Sequence, residues 1–163
     1  MTILEKQGQA AKAAAYPLAG AGTAKKNAAL QAIADILMDR QAKWLQANAI
    51  DIAAAKESGM RPAMLDRLTL TSERIAGIVE GVRQVCSLPD PIGRVEKMET
   101  RPNGLIIGKR RVPLGVIAII YEARPNVTVD AAALCLKSGN VCMLRGGREA
   151  IHSNRLAVSL MQE

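Results

Sequence analysis

The 163 residues contain no phenylalanine, one tryptophan and two tyrosines, so aromatic side chains make up 2% of the chain. Platforms that stack single-stranded nucleic acid need aromatic faces. Tyr16, Trp44 and Tyr121 are too few and too scattered to build one. There is a single histidine, His152, and no Ser or Cys partner for it is identifiable, which points to a structural or surface role. Cys86, Cys135 and Cys142 are odd in number and lack a CxxC pair. That fits buried thiols in a reducing cytoplasm better than disulfides or a zinc site. No spacing of His, Cys and carboxylates suggests another metal. The chain does not open with a basic region followed by an apolar run, as a signal peptide does. Its longest nearly uncharged apolar run, Val112 to Tyr121, is far shorter than the ~20 residues that span a bilayer. The expectation is a cytoplasmic protein with no membrane partner.

Hydrophobic residues make up 49%, enough for a real core and too many for disorder. The formal net charge is +7, yet Lys and Arg are scattered, with only short clusters such as Lys25-Lys26 and Lys109-Arg110-Arg111. A dispersed excess fits solubility or an anionic small ligand better than DNA or RNA. Cys135 and Cys142 read as small buried apolar residues. A nucleophilic thiol should instead be partly exposed in electropositive surroundings.

The first part of the chain is Ala-rich and helical. Thr23 is placed to cap a helix whose Leu30, Ile33, Ala34, Leu37 and Met38 share one face. A second helix is predicted over Gln41 to Ser58, with Gly59 as its stop, and a helical turn around Ala63 to Leu68. Thr71 caps a further helix with Ile75, Ile78, Val79, Val82 and Cys86 on one side. The two prolines of SLPDP end it. Near Pro89 to Gly93 the character changes. GRVEKMETRPNGLIIGKRRV reads as a β-hairpin about Asn103-Gly104. Such a hairpin is marginal alone and must rest on something, a partner subunit being one candidate.

From Pro113 the chain reads as α/β. Gly115 to Tyr121 is a strand predicted to be buried on both faces. Val127 to Ser138 is a helix stopped by Gly139-Asn140, Val141 to Leu144 is a second buried strand, and a helix begins at Glu149. This is one βαβ unit. In an open parallel sheet ligands bind beyond the carboxyl ends of the strands, where the loops YEARPN and RGGREA stand.

In the first loop, Asn126 follows Pro125 at a helix start. One reading is an N-cap, a role asparagine fills well. The other is an amide donor to an oxyanion, a contribution of roughly 3 kcal/mol to a transition state. Arg124 either forks a carboxylate or phosphate or is a solvated loop arginine, and Glu122 has no evident role beyond pairing with it. In the second loop, Gly146 and Gly147 allow close backbone approach. Arg145 and Arg148 add positive charge beside a helix N-terminus. The set suits a nucleotide phosphate, and two arginines suit a 2′-phosphate, but it is not a GxGxxG fingerprint.

RRVPLGVI, IYEARPNVTVDAAALCLKSGN and LRGGREAIHSN, with AMLDRLTLT, RIAGIVEGVRQVCSLPDPIG and RPNGLIIGKRRVPLG before them, closely resemble the γ-glutamyl phosphate reductases of the aldehyde dehydrogenase superfamily. The resemblance implies an α/β, aldehyde-dehydrogenase-like fold. Residues 1–91 would be the N-terminal helical part of the cofactor domain, 92–112 a hairpin oligomerisation arm, and 113–163 the start of a Rossmann-like NADP-binding sheet. It implies NADPH-dependent reduction of L-glutamyl 5-phosphate to the 5-semialdehyde with release of phosphate, in proline biosynthesis. It places Asn126 as the oxyanion donor. Tyr121, Glu122, Ala123, Arg124 and Pro125 would line the cofactor cleft, and Arg145, Gly146, Gly147, Arg148 and Glu149 would hold the adenosine ribose and its phosphate. A homo-oligomer through the arm and an association with glutamate 5-kinase are the implied partnerships. Family members are more than twice as long, and their nucleophilic cysteine matches none of the three present. The expectation is therefore a truncated chain without turnover of its own. A related aldehyde dehydrogenase with another substrate and a non-catalytic nucleotide-binding or oligomerisation module remain the alternatives.

Overall fold

The computed structural model describes residues 1–122 and 124–163. Seven α-helices and two small two-stranded sheets are found among them. The first helix, α1 (Ile3–Ala19), starts on a capping box. The Thr2 N–H donates to Glu5 Oε2 at 2.6 Å, and the Thr2 hydroxyl accepts from the Glu5 N–H at 3.2 Å. α2 (Thr23–Asp39) buries Leu30, Ala34 and Leu37, with Ile33 and Met38 packed partly against them, as their spacing predicts. Thr23 is not its cap, because the helix begins at Thr23 after Gly22. The Thr23 hydroxyl instead donates to Asp90 at 2.7 Å. α3 (Gln41–Glu57) stops at Gly59, whose φ of +72° ends the helix cheaply only for glycine. α4 (Pro62–Leu68) is short. In α5 (Ser72–Ser87) Thr71 is the N-cap, its hydroxyl accepting from the Arg74 N–H at 3.2 Å.

β1 (Val95–Thr100) and β2 (Ile106–Arg110) form the antiparallel hairpin. Only Gly104 takes a positive φ, +84°, while Asn103 does not. The Gly104 N–H closes the turn onto the Arg101 carbonyl at 2.9 Å, with Pro102 and Asn103 between them. This is a type I turn with a left-handed glycine after it, rather than a two-residue primed turn. Met98, Leu105 and Ile106 stay exposed.

β3 (Val116–Ile120) and β4 (Val141–Arg145) pair in parallel, with α6 (Pro125–Lys137) as the crossover. A single 3-10 turn (Arg148–Ala150) leads into α7 (Ile151–Gln162). The prediction that β3 is buried on both faces fails: Ile120 is 79% exposed and Val116 39%. Among the described residues β4 alone pairs with β3 and α1 packs mainly on β4, so part of β3 has no cover there.

One core joins the early helices to the βαβ unit. Leu30, Leu37, Trp44, Ile75, Val79 and Val82 pack with Val129, Ala133, Ala157 and Leu160. Burial of such side chains contributes about 1.5–3 kcal/mol each. Buried polar groups tie the seam. Lys26, 2% exposed, bridges to Asp90 at 2.6 Å and donates to the Lys137 carbonyl at 3.1 Å. Lys137 donates to Asn27 Oδ1 and the Cys86 carbonyl, both at 2.7 Å.

Candidate functional site

The two motif loops leave the same end of the parallel pair. Ile120 is in register with Arg145, and the Tyr121 N–H donates to the Arg145 carbonyl at 3.1 Å. A buried relay ties the strand end to both following helices. The Thr128 hydroxyl donates to Asn154 Oδ1 at 2.9 Å. Its single proton thus used, it accepts from the Tyr121 hydroxyl at 2.6 Å. Burial pushes the Tyr121 phenol above its ordinary range, against the Thr128 bond that lowers it. A Cβ on Gly146 would overlap Asn154 Nδ2 and come within 3.0 Å of the Tyr121 ring. The glycine is thus demanded by internal packing, before any ligand is considered.

Asn126 is not the N-cap. Arg124 caps α6 with an extended backbone and no side-chain bond, Pro125 is the first helical residue, and Asn126 is the second. Proline suits that first position because its missing N–H has no partner there in any case. Capping therefore places no demand on the Asn126 side chain. Its Nδ2 donates to Asp130 Oδ2 at 3.1 Å, one helical turn on. Arg124, Pro125, Asn126 and Asp130 line an open cleft of about 490 Å³, faced by Asp66, Arg67, Thr69, Leu70 and Arg74 from α4, α5 and the connection between them. Burial raises the Asp130 carboxyl above its ordinary range, and the Asn126 bond opposes this. Arg74 is occupied, gripping Asp66 Oδ1 at 2.7 Å and the Thr69 carbonyl at 2.8 Å. The Glu122–Arg124 contact is between backbones, the Arg124 N–H donating to the Glu122 carbonyl at 2.8 Å. Ala123 lies outside the described residues.

Arg145, Arg148 and Glu149 are exposed, and Gly146 and Gly147 half-buried. Arg148 and Glu149 border a second cleft of about 400 Å³, with Asp51, Met60 and His152. The structure therefore sets the two motif loops side by side but gives their side chains two clefts. The helix start beside the second loop already holds an anion from within the chain. Asp51, 2% exposed, accepts from the His152 N–H at 3.1 Å, the Ser153 N–H at 2.8 Å and the Ser153 hydroxyl at 2.7 Å. Two N–H groups of the α7 start are thus engaged, which leaves attraction for a further anion chiefly to Arg145 and Arg148.

Sequence reasoning missed this cap. Asn48 completes it, donating to Ser153 Oγ at 3.0 Å and the Leu68 carbonyl at 2.8 Å while accepting from the Leu70 N–H at 2.8 Å. Trp44 Nε1 donates to the Ser153 carbonyl at 3.1 Å. A signal was present, since Trp44, Asn48, Asp51 and Ala55 follow helical spacing on one buried face.

Burial disfavours the reactive thiolate at two of the thiols. Burial pushes Cys135 up to about 11, helped by the neighbouring Cys142, and burial raises Cys142 as well. Cys135 also sits nine residues beyond Asn126 on α6, roughly 13 Å along the axis. Cys86 is half-buried, its Sγ 3.5 Å from the Asn27 carbonyl it faces. His152 is exposed. Among the described residues no group of His, Cys, Asp and Glu could hold a metal, and no helix is long and apolar enough to cross a membrane.

No family model matches the chain. Among curated proteins, the γ-glutamyl phosphate reductases of Yersinia pseudotuberculosis serotypes O:1b and O:3 are each 55% identical over 162 residues, 99% of this chain and 39% of theirs. Among solved structures, the γ-glutamyl phosphate reductase of Thermotoga maritima superposes with a TM-score of 0.95 at 41% identity, over 99% of this chain and 39% of that one. The Saccharomyces cerevisiae enzyme gives 0.93 at 30% identity, over 99% and 41%. A NAD-dependent benzaldehyde dehydrogenase from Corynebacterium glutamicum, 19% identical over 94% of this chain and 31% of its own, shares the fold with a TM-score of 0.70. The expected aldehyde-dehydrogenase-like α/β fold is therefore the one found. In sequence and in fold, this chain is a relative of the γ-glutamyl phosphate reductases, spanning 39% of the length of those it matches.

Proposed function

We propose that these residues form the oxyanion and cofactor side of an NADPH-dependent acyl-phosphate reductase. L-Glutamyl 5-phosphate is its substrate, and L-glutamate 5-semialdehyde and phosphate are its products, a step of proline biosynthesis in the cytoplasm. The observation that carries this reading is the placement of YEARPN and RGGREA side by side at the carboxyl ends of paired parallel strands, in a chain 55% identical to named reductases.

Bound NADPH supplies the hydride. The chain's part is to bind and to polarise. The exposed guanidinium groups of Arg145 and Arg148 take the 2′-phosphate of the ribose. Gly146, Gly147 and Glu149 would shape the ribose pocket, and Tyr121, Glu122, Arg124 and Pro125 would line the cofactor cleft. Asn126, free of capping, presents an amide N–H to the oxygen of the acyl group as negative charge develops there. The apolar face of the hairpin, with Met98 and Ile106 about 60% exposed, is the arm that seats on a second copy. Glutamate 5-kinase is the partner that hands over the labile acyl phosphate.

Calorimetry of the 163-residue chain with NADPH and NADH tests the cofactor side. A preference for NADPH that falls at least tenfold in Arg148→Ala fits. Equal affinity would turn the reading toward a related aldehyde dehydrogenase, and no binding of either would remove the cofactor role. Reductase assays should find no turnover by these 163 residues, since Cys135 is buried with its thiol pushed up to about 11 and Cys86 and Cys142 are partly buried. The full-length protein that carries these residues should reduce the acyl phosphate. An oligomer without NADPH binding would leave only an assembly module.

A further inference from the structure

Asn126 has a neighbour that its proposed role does not explain. Asp130 stands one turn further along α6, half-buried at the wall of the same cleft, and its Oδ2 receives the Asn126 Nδ2 at 3.1 Å. A primary amide can present either its oxygen or its NH2 to a given direction, and the two orientations fill the same space. For an oxyanion donor only one orientation works, because the carbonyl oxygen would repel the developing charge. An ionised carboxylate accepts hydrogen bonds and cannot donate them. Beside it, the asparagine must turn its NH2 group toward the carboxylate. One of the two Nδ2 hydrogens is then taken, and the other is left on the same nitrogen. No other side chain makes a hydrogen bond to the Asn126 amide among the described residues.

We propose that Asp130 is a positioning residue: its carboxylate fixes the flip state of the Asn126 amide, so that the second N–H faces the acyl oxygen of the substrate. This rests on the oxyanion role proposed above for Asn126. The arrangement explains why a carboxylate is held half-buried at this point, although nearby Arg74 is committed to Asp66 and Thr69. An i, i+4 pair on a helix contributes little to stability by itself. A purely structural role for Asp130 would therefore leave the rate untouched.

A double-mutant cycle on the full-length protein that carries these residues separates the possibilities. Asn126→Ala should lower kcat about 100-fold, the usual loss for one oxyanion donor. Asp130→Ala should lower kcat by roughly 10-fold or more with KM for NADPH unchanged, since a free amide samples both orientations. In the Asn126→Ala background the same Asp130→Ala change should cost less than about twofold, because the two residues act as one unit. Asp130→Asn, whose amide can turn either its oxygen or its NH2 toward Asn126, should not restore the fixed orientation and should lose kcat much as Asp130→Ala does. Full activity in Asn126→Ala, or no turnover in the unaltered protein, would sink the oxyanion reading and this inference with it. A 100-fold loss in Asn126→Ala beside an unchanged kcat in Asp130→Ala would overturn this inference alone. Equal, additive losses from Asp130→Ala in both backgrounds would overturn it too, since they would mean that Asp130 acts independently of Asn126.

Discussion

Replacing Asp51 by alanine should be among the most damaging single changes in the chain, although Asp51 lies a hundred residues from the helix it caps. Its carboxylate, 2% exposed, accepts three hydrogen bonds from the start of α7. Hydrogen bonds to charged groups contribute about 1.5–3 kcal/mol each. Three that share one acceptor are not additive, so the expected loss is about 3–5 kcal/mol. Domains of this kind hold only about 5–15 kcal/mol in all. Urea denaturation followed by far-UV circular dichroism reads the loss directly. With a slope of about 2 kcal/mol/M, the midpoint should fall by roughly 1.5–2.5 M at constant slope. Asp51→Asn keeps one accepting oxygen and turns an NH2 toward a donor, so it should fall between alanine and the unaltered chain. A midpoint within about 0.5 M of the unaltered chain for Asp51→Ala would refute the reasoning. It would mean that water satisfies the α7 start as well as the carboxylate does. The consequence reaches the proposed cofactor loop, because Arg148 and Glu149 stand directly before that helix start.

Three further outcomes follow from the same geometry. Gly146→Ala should destabilise by about 1–3 kcal/mol and weaken NADPH binding, since its Cβ would overlap Asn154 and crowd Tyr121; an unchanged melting temperature would show that the loop yields freely. Burial raises Asp130, so its stabilising contribution is present below the unfolded value and lost as pH rises through the folded one. Arg124 at the cap of its helix and Asp66, Arg67 and Arg74 across the cleft are the charged groups that line the same cleft. Asp130→Asn should accordingly be more stable than the unaltered chain at pH 7 and lose that advantage at pH 3; thermal melts at both pH values decide it. For Asp90, burial raises the carboxyl, but hydrogen bonds from Lys26, the Ile92 N–H and Thr23, with the charge of Lys26, hold it below the ordinary range. Its contribution is therefore complete above the unfolded value near 4 and lost as pH falls through the folded one. Asp90→Asn should lower stability at neutral pH and flatten the acid limb of a stability profile; an unchanged acid limb would contradict this.

Local patterns carried most of the fold. The buried faces of α2 and α5, the Thr71 cap, the Gly59 and Gly139 stops and the parallel pairing of β3 with β4 all rest on residues close together in sequence. The errors came where a second element decides. Thr23 reads as a cap until Asp90, 67 residues away, takes its hydroxyl. Asn126 reads as a cap until Pro125 and Arg124 fill the positions ahead of it. β3 reads as buried on both faces because its side chains are apolar, whereas burial depends on what lies beside the sheet.

The same distinction bears on how the motif loops should be read. YEARPN and RGGREA are legible as sequence because glycine, proline and arginine cluster at strand ends. What holds them is not legible there. The second loop leads into a helix gripped by Asp51, Asn48 and Trp44 of α3, and both loops are joined by Tyr121, Thr128 and Asn154. Among the described residues no buried side-chain nitrogen or oxygen lacks a hydrogen-bond partner. Such a network is costly to leave half-made, so it fixes one arrangement of the strand ends before any ligand arrives. Preorganised donors are what electrostatic catalysis requires, since they need no reorientation as charge develops. The helical region before the hairpin is therefore part of what positions the candidate site. A change at Asn48 or Asp51 should disturb the RGGREA loop more than a change in the hairpin does, although the hairpin is nearer to it in sequence.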